Sequence, residues 1–118
     1  FVNSGLSMLI RKIAKAPKRS SRFRSQKHLN HVRSHACVVC DWEKPIEAAH
    51  VRIGSGAGIG QKPHDYLAVS LCKDCHQLQH TVGERTFWQS FGKDPQAVIG
   101  EFIRTSPVRR EIEAHRNG

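Results

Sequence analysis

Four cysteines constrain this chain more than any other feature. They come as two pairs, Cys37-Val38-Val39-Cys40 and Cys72-Lys73-Asp74-Cys75, with 31 residues between them. A Cys-x-x-Cys pair sets two sulfurs at the mouth of a turn, where both reach one ion, and two such pairs make the ligand set of a tetrahedral zinc site. Disulfides would need an oxidising compartment. The sequence lacks the charged-then-apolar segment of a secretory signal, so reduced thiols in a cytoplasmic setting are expected. A redox pair of the thioredoxin type would sit in a βαβ unit, which the pattern here does not offer. Hydrophobic residues make up only 38% of the 118, and a core that thin needs a staple. Structural Zn²⁺ on Cys37, Cys40, Cys72 and Cys75 supplies one.

The second cysteine pair runs into another spacing. His76 and His80 are four apart, so on a helix both imidazoles lie on one face. Cys75 and His76 are adjacent and point about a third of a turn apart on the same helix. Sulfur and imidazole are therefore expected to serve two sites, one holding the fold and one facing a cleft. Upstream, Ile46–Val51 alternates as a strand, with Ile46, Ala48 and His50 on one face and Glu47, Ala49 and Val51 on the other. The loop from Arg52 to Asp65 carries Gly54, Gly56, Gly58 and Gly60. Those glycines give the backbone freedom to approach a ligand, and Arg52 and Lys62 can meet phosphate. The spacing is not a dinucleotide fingerprint. Tyr66–Leu71 is the second strand and runs straight into Cys72.

Flanking helices complete an α+β fold class. Ser25 caps a short helix from Gln26 that turns Leu29, Val32 and Ala36 inward and keeps Lys27, His28, His31 and Arg33 on its surface. Glu84–Phe91 forms a helix with Phe87, Trp88 and Phe91 as its apolar stripe, stopped by Gly92. Asp94 caps a helix starting at Pro95, with Val98, Ile99, Phe102 and Ile103 inward. Pro107 opens a last helix through Glu113.

Charge is distributed unevenly. The net charge is +9, yet residues 1–36 hold nine Lys/Arg and no Asp or Glu, while the ten remaining basic residues balance all ten acidic ones. The excess sits on the N-terminal arm, where Pro17 and Ser20-Ser21 oppose a helix. Arg11, Lys12, Lys15, Lys18, Arg19, Arg22, Arg24 and Lys27 are the expected contacts to a polyanion, most often nucleic acid. The plainer alternative is a solvated tail. No apolar run reaches the roughly 18 residues of a membrane span, and the arm lacks the apolar face of a membrane-surface helix.

Strand, glycine-rich loop, strand and helix, with His50 on the strand and His76 and His80 on the helix, suit phosphodiester hydrolysis. That reaction needs an activated water and neutralisation of the charge on phosphate and leaving oxygen. His50 can accept the proton, Mg²⁺ or Mn²⁺ on His76 and His80 can take the charge, and Arg52 and Lys62 can add to it. His50 taken alone would read as an ordinary strand histidine.

The run Cys37-x-x-Cys40, Ala49-His50, Leu71-Cys72-x-x-Cys75-His76-x-x-x-His80 resembles the HNH endonucleases with a ββα-metal (His-Me finger) fold and a four-cysteine zinc site. It is similar in particular to small phage and prophage recombination-associated nucleases of the Ref and YbcO kind. The resemblance covers residues 26–91. It implies a basic arm over 1–24, an HNH domain over 25–91 and a helical extension over 92–118 packed on it. It implies His50 as general base, a catalytic divalent ion on His76 and His80, and structural zinc on the cysteines. The products would carry 5′-phosphate and 3′-hydroxyl ends, and the work would be recombination or DNA processing beside recombination proteins in a bacterial host cell. Two positions depart from the family pattern. Ala49 stands where many members have a further metal ligand, and the middle Asn falls near Leu67. Asp65, on the strand face two residues earlier, is expected to fill that gap or to reach the metal. Glu47, on the face opposite His50, is the poorer candidate. The rival expectation is a zinc-stabilised nucleic-acid-binding module without turnover.

Overall fold

Two short strands form the centre of the molecule. β1 (Glu47–His50) and β2 (Ala68–Leu71) pair antiparallel, with Glu47 opposite Leu71 and His50 opposite Ala68. The computed structural model describes residues 22–56 and 61–118. Within them the strands are accompanied by α1 (Gln26–Arg33), α2 (Lys73–Val82), α3 (Glu84–Ser90), α4 (Pro95–Arg104) and α5 (Arg109–Asn117). The α+β class read from the sequence is the one found.

The alternation of β1 holds. Ala49 and Val51 are fully buried, while Ala48 and His50 look out of the other face half-exposed. The second strand is shorter than Tyr66–Leu71. Asp65–Leu67 winds into a 3-10 turn, closed by the Leu67 N–H on the His64 carbonyl at 3.0 Å. Asp65 therefore stands on a turn and not on a strand face, which lets its side chain fold inward.

α1 begins as its sequence dictates, with Ser25 Oγ accepting the His28 N–H at 3.1 Å, one of the orphan donors a helix start must satisfy. Leu29 and Val32 enter the core, but Ala36 lies past the helix end and is exposed. His28, expected on the surface, is fully buried, because the turn between α4 and α5 closes over it and Ser106 Oγ lies 2.8 Å from its Nδ1.

α2 stops at Gly83, whose φ of 91° suits glycine alone, and α3 starts at once. The two helices are pinned by the Trp88 indole N–H donating to Gln79 Oε1 at 3.0 Å inside the core. Phe87 and Trp88 are buried as expected. Phe91 is 41% exposed, because α3 ends at Ser90 and the chain turns away at Gly92.

Asp94 caps α4 through the Gln96 N–H, with Pro95 in the first turn. Ile99, Phe102, Ile103, Val108 and Ile112 join Val32, Ala49 and Leu71 in one core. Residues 92–118 thus supply part of the same hydrophobic core as the sheet. α5 runs on to Asn117, beyond the Glu113 end expected. Among the described residues no helix is long and apolar enough to cross a membrane.

Candidate functional site

The two cysteine pairs meet because β2 delivers one and carries the other on its edge. Leu71 ends the strand, and Cys72 caps α2 with its own sulfur, which accepts the Cys75 N–H at 3.4 Å. The Cys37–Cys40 turn is fastened to the same strand. The Val38 N–H donates to the Ser70 carbonyl at 3.0 Å, and Ser70 Oγ donates to the Ala36 carbonyl at 2.7 Å. The turn itself is closed by the Cys37 N–H on the Trp42 carbonyl and the Asp41 N–H on the Cys37 carbonyl.

All four thiols are unbridged, and their sulfurs lie within 4.8 Å of one another. Tetrahedral zinc with bonds of about 2.3 Å holds its sulfurs about 3.8 Å apart, and Cys40 Sγ and Cys72 Sγ are separated by 3.6 Å. The cluster can hold a structural zinc ion. Burial works against charge on Cys37, but the N–H groups of Cys40, Cys72 and Val39 outweigh it and draw this thiol down to about 7. Burial, reinforced by the neighbouring sulfurs, pushes the Cys75 thiol up. The four sulfurs need a dication before they can share a site as thiolates.

One turn further along α2, on a different face, His76 and His80 stand 4.8 Å apart ring to ring, with their Nε2 atoms 3.2 Å apart. Two metal–nitrogen bonds of about 2.1 Å span about 3.0 Å at a right angle and about 3.4 Å at the tetrahedral angle. The observed separation falls within that bite, so the pair fits one ion. His76 Nδ1 lies 2.6 Å from Glu47 Oε1. An N–H donated to that carboxylate fixes the tautomer and leaves Nε2 with its lone pair toward His80, the usual support of a metal-binding histidine.

Sequence alone ranks Glu47 below Asp65, and the contact it makes is with His76. Alternation fixes where a Cβ points, but Glu47 is the first residue of β1, opposite Leu71 where α2 is about to begin, and its long side chain reaches the helix. The sequence held a usable signal: a ligating histidine ordinarily takes a carboxylate partner, and β1 carries one acidic residue.

Ala48, His50, Arg52, Gln61, Lys62, Pro63, His76 and His80 line one open cleft of about 390 Å³. The fold thus gathers His50, Arg52 and Lys62 from β1 and the glycine-rich loop opposite the two helix histidines. The base of that loop is held by Glu84 of α3, whose carboxylate accepts the N–H groups of Arg52 and Ile53 at 2.8 to 3.0 Å. The Arg52 guanidinium donates to the Gln61 carbonyl at 2.7 Å.

Asp65 sits behind His50. Its Oδ1 lies 2.9 Å from His50 Nε2, and its Oδ2 accepts the Ser25 N–H at 2.8 Å. At 3% exposure it is a buried carboxylate with its acceptors in use. It orients the imidazole from behind. Burial lowers the His50 pKa below the ordinary imidazole value. Asp65 opposes this, and the charges of Lys62 and Arg24 reinforce it. A carboxylate oxygen can only accept, so the proton of the neutral ring sits at Nε2 toward Asp65 and its lone pair at Nδ1.

Of the basic residues expected on a polyanion, Arg11, Lys12, Lys15, Lys18 and Arg19 lie outside the described residues. Lys27 is exposed on α1. Arg22 and Arg24 make internal bonds: Arg22 to Gln61 Oε1, Arg24 to the carbonyls of Phe23, Lys62 and Pro63.

Residues 11–106 match a family described as a protein of unknown function, DUF968. No curated protein and no solved structure matches the chain.

Proposed function

The chain belongs to DUF968, a family described without an activity, and from its site we propose that it is a metal-dependent endonuclease of the HNH type. In this reading β1, β2 and α2 are the ββα-metal unit, the cysteine cluster holds the structural zinc, and DNA is the substrate. The observation that carries it is the cleft in which His50 stands across from the His76–His80 pair, flanked by Arg52 and Lys62.

The geometry supports a division of labour. His50, neutral and clamped at Nε2 by Asp65, presents Nδ1 as the base that takes a proton from water. Lys62 and Arg52 set positive charge where a phosphate would lie. Glu47 keeps His76 in the ligating tautomer. His76 and His80 would hold the divalent ion, Mg²⁺ or Mn²⁺, which supplies Lewis-acid charge for a phosphate oxygen and the leaving oxygen. Two imidazoles favour a transition ion over Mg²⁺, which prefers oxygen. The products would carry 5′-phosphate and 3′-hydroxyl ends. The setting would be recombination or DNA processing of phage origin in bacterial cytoplasm, alongside recombination proteins.

One observation favours a second reading. Among the described residues the cysteine cluster is the one group of three or more ligating side chains, so His76 and His80 have no third protein ligand. A zinc-stabilised nucleic-acid-binding module would need none. The deciding experiment is cleavage of supercoiled and single-stranded DNA with Mg²⁺, Mn²⁺ or EDTA, alongside His50→Ala. We expect His50→Ala to keep fold, zinc and DNA binding and to lose cleavage by at least ~10²-fold. Zinc-loaded wild-type protein that binds nucleic acid but cuts neither DNA nor RNA with any divalent ion overturns the enzyme reading in favour of the module.

A further inference from the structure

Residues 22–25 are bonded to residues 61–65 almost position by position. The Phe23 N–H donates to His64 Nδ1 at 2.9 Å, and the Phe23 carbonyl accepts the Asp65 N–H at 2.9 Å. Ser25 N–H reaches Asp65 Oδ2, and Arg22 reaches Gln61. Arg24 lies at the centre. Its Nη1 donates to the Pro63 carbonyl at 2.8 Å and the Phe23 carbonyl at 3.0 Å, its Nη2 to the Lys62 carbonyl at 3.1 Å, and Asp65 Oδ1 is 3.5 Å from Nη1. The residues so held form one wall of the cleft: Lys62 and Pro63 line it, and Asp65 grips His50.

We infer that Arg24 is a positioning residue of this site, which fastens Lys62, Pro63 and Asp65 to the root of the basic arm and so sets the cleft wall that carries His50 and Lys62. The inference rests on the hydrolytic reading of the cleft. Sequence alone counts Arg24 among the phosphate contacts, but a guanidinium donating to three carbonyls has most of its five N–H groups committed. Only a planar fork spans two successive carbonyls; a lysine in its place keeps the charge and loses the span. Arg24→Lys and Arg24→Gln therefore separate the two things Arg24 supplies. The charged and titratable groups around His50 are Asp65 from the turn, Lys62 and Arg52 from the loop, Arg24 from the arm's root, and His76 and His80 across the cleft. Arg24 acts on His50 with the sign of Lys62, against Asp65.

The test uses the full zinc-loaded chain with no second divalent ion added. It reads the His50 ring titration by NMR and the hydrogen exchange of the Ser25 and Asp65 amides, followed by kcat and KM against pH with Mn²⁺. In Arg24→Gln we expect faster exchange at both amides, a His50 midpoint moved to higher pH and an acid limb of kcat moved with it. In Arg24→Lys we expect faster exchange with the midpoint unmoved and kcat lower by about 10- to 100-fold, the usual cost of losing an orienting partner. Should Arg24→Gln fail to fold, the Arg24→Lys exchange and kcat decide. Wild-type exchange and midpoint in both variants, or a rise in KM alone, would overturn the inference and return Arg24 to the phosphate contacts. If the wild type cuts nothing, the nuclease reading falls, while titration and exchange still decide whether Arg24 sets this wall.

Discussion

His28 is fully buried on the inner face of α1, with Ser106 Oγ 2.8 Å from Nδ1 and no partner for Nε2 among the described residues. The tautomer that strands least is Nδ1–H donating to Ser106, with only a lone pair at Nε2. A second proton would put an unpaired N–H in the core. Burial above all, then the neighbouring His31, lowers its pKa from 6.5 to about 4, with Asp65 opposing weakly. The sign follows from the lowered value. Above pH 6.5 neither state is protonated and the histidine is neutral to stability. Below it, the unfolded chain takes a proton that the folded one refuses, so stability falls as pH falls. The loss approaches about 1.4 kcal/mol for each pH unit, or about 2 kcal/mol by pH 5 and about 3 kcal/mol by pH 4. For a domain whose total stability is of order 5–15 kcal/mol, that is a large share. The assay is urea unfolding at pH 7.5, 6.5, 5.5 and 4.5 for the zinc-loaded wild type and His28→Phe, which cannot titrate. Acid release of zinc weakens both proteins, so the difference between the two curves isolates His28. Parallel curves over that range, or a His28 ring that titrates near 6.5 by NMR, would rule this out.

Three further outcomes are expected of the cysteine cluster, the helix histidines and the basic arm. Cys72→Ser removes a sulfur of the cluster while leaving an oxygen able to cap α2, and should leave the chain largely unfolded, read as collapse of amide NMR dispersion and loss of bound zinc. Glu47→Gln should weaken Mn²⁺ binding by the His76–His80 pair about 10- to 100-fold, measured by calorimetry with zinc content unchanged. Removing residues 1–21 should flatten the salt dependence of duplex DNA binding by about 0.9 in log–log slope for each phosphate that the arm neutralises. An unchanged slope would make those residues a solubilising tail.

What the sequence disclosed was whatever local pattern controls. The cap at Ser25, the stop at Gly92 and the alternation of Ala49 and Val51 against Ala48 and His50 each depend on a few neighbouring residues. The cysteine and histidine spacings point to two separate faces of α2 for the same reason. The bonds that sequence reading missed join distant segments. His28 reads as a surface residue until the turn at Ser106 covers it. Asp65 reads as a strand residue until the chain tightens into a 3-10 turn. Arg24 reads as one more positive charge in a basic run until Lys62 and Pro63 present their carbonyls to it. Glu47 lies between the two cases, since its alternation was legible and its reach from the end of the strand was not.

α2 belongs to both candidate sites. Cys72 caps it, Cys75 lies in its first turn, and the residues that follow include His76 and His80, so an ion held by the sulfurs fixes the helix on which the histidines stand. The two sites differ sharply in hold. Four thiolates enclose an ion in a closed shell, whereas two imidazoles leave most of the shell to water and release their ion readily. A chelator strong enough to strip the first will already have emptied the second and will let the helix and cleft come apart. Loss of activity in EDTA is therefore the same whether the missing ion was catalytic or structural. What separates them is the order of return: Mn²⁺ restoring cleavage to protein that has kept its zinc assigns an ion to the cleft, whereas a requirement for zinc before any other ion acts assigns only the fold.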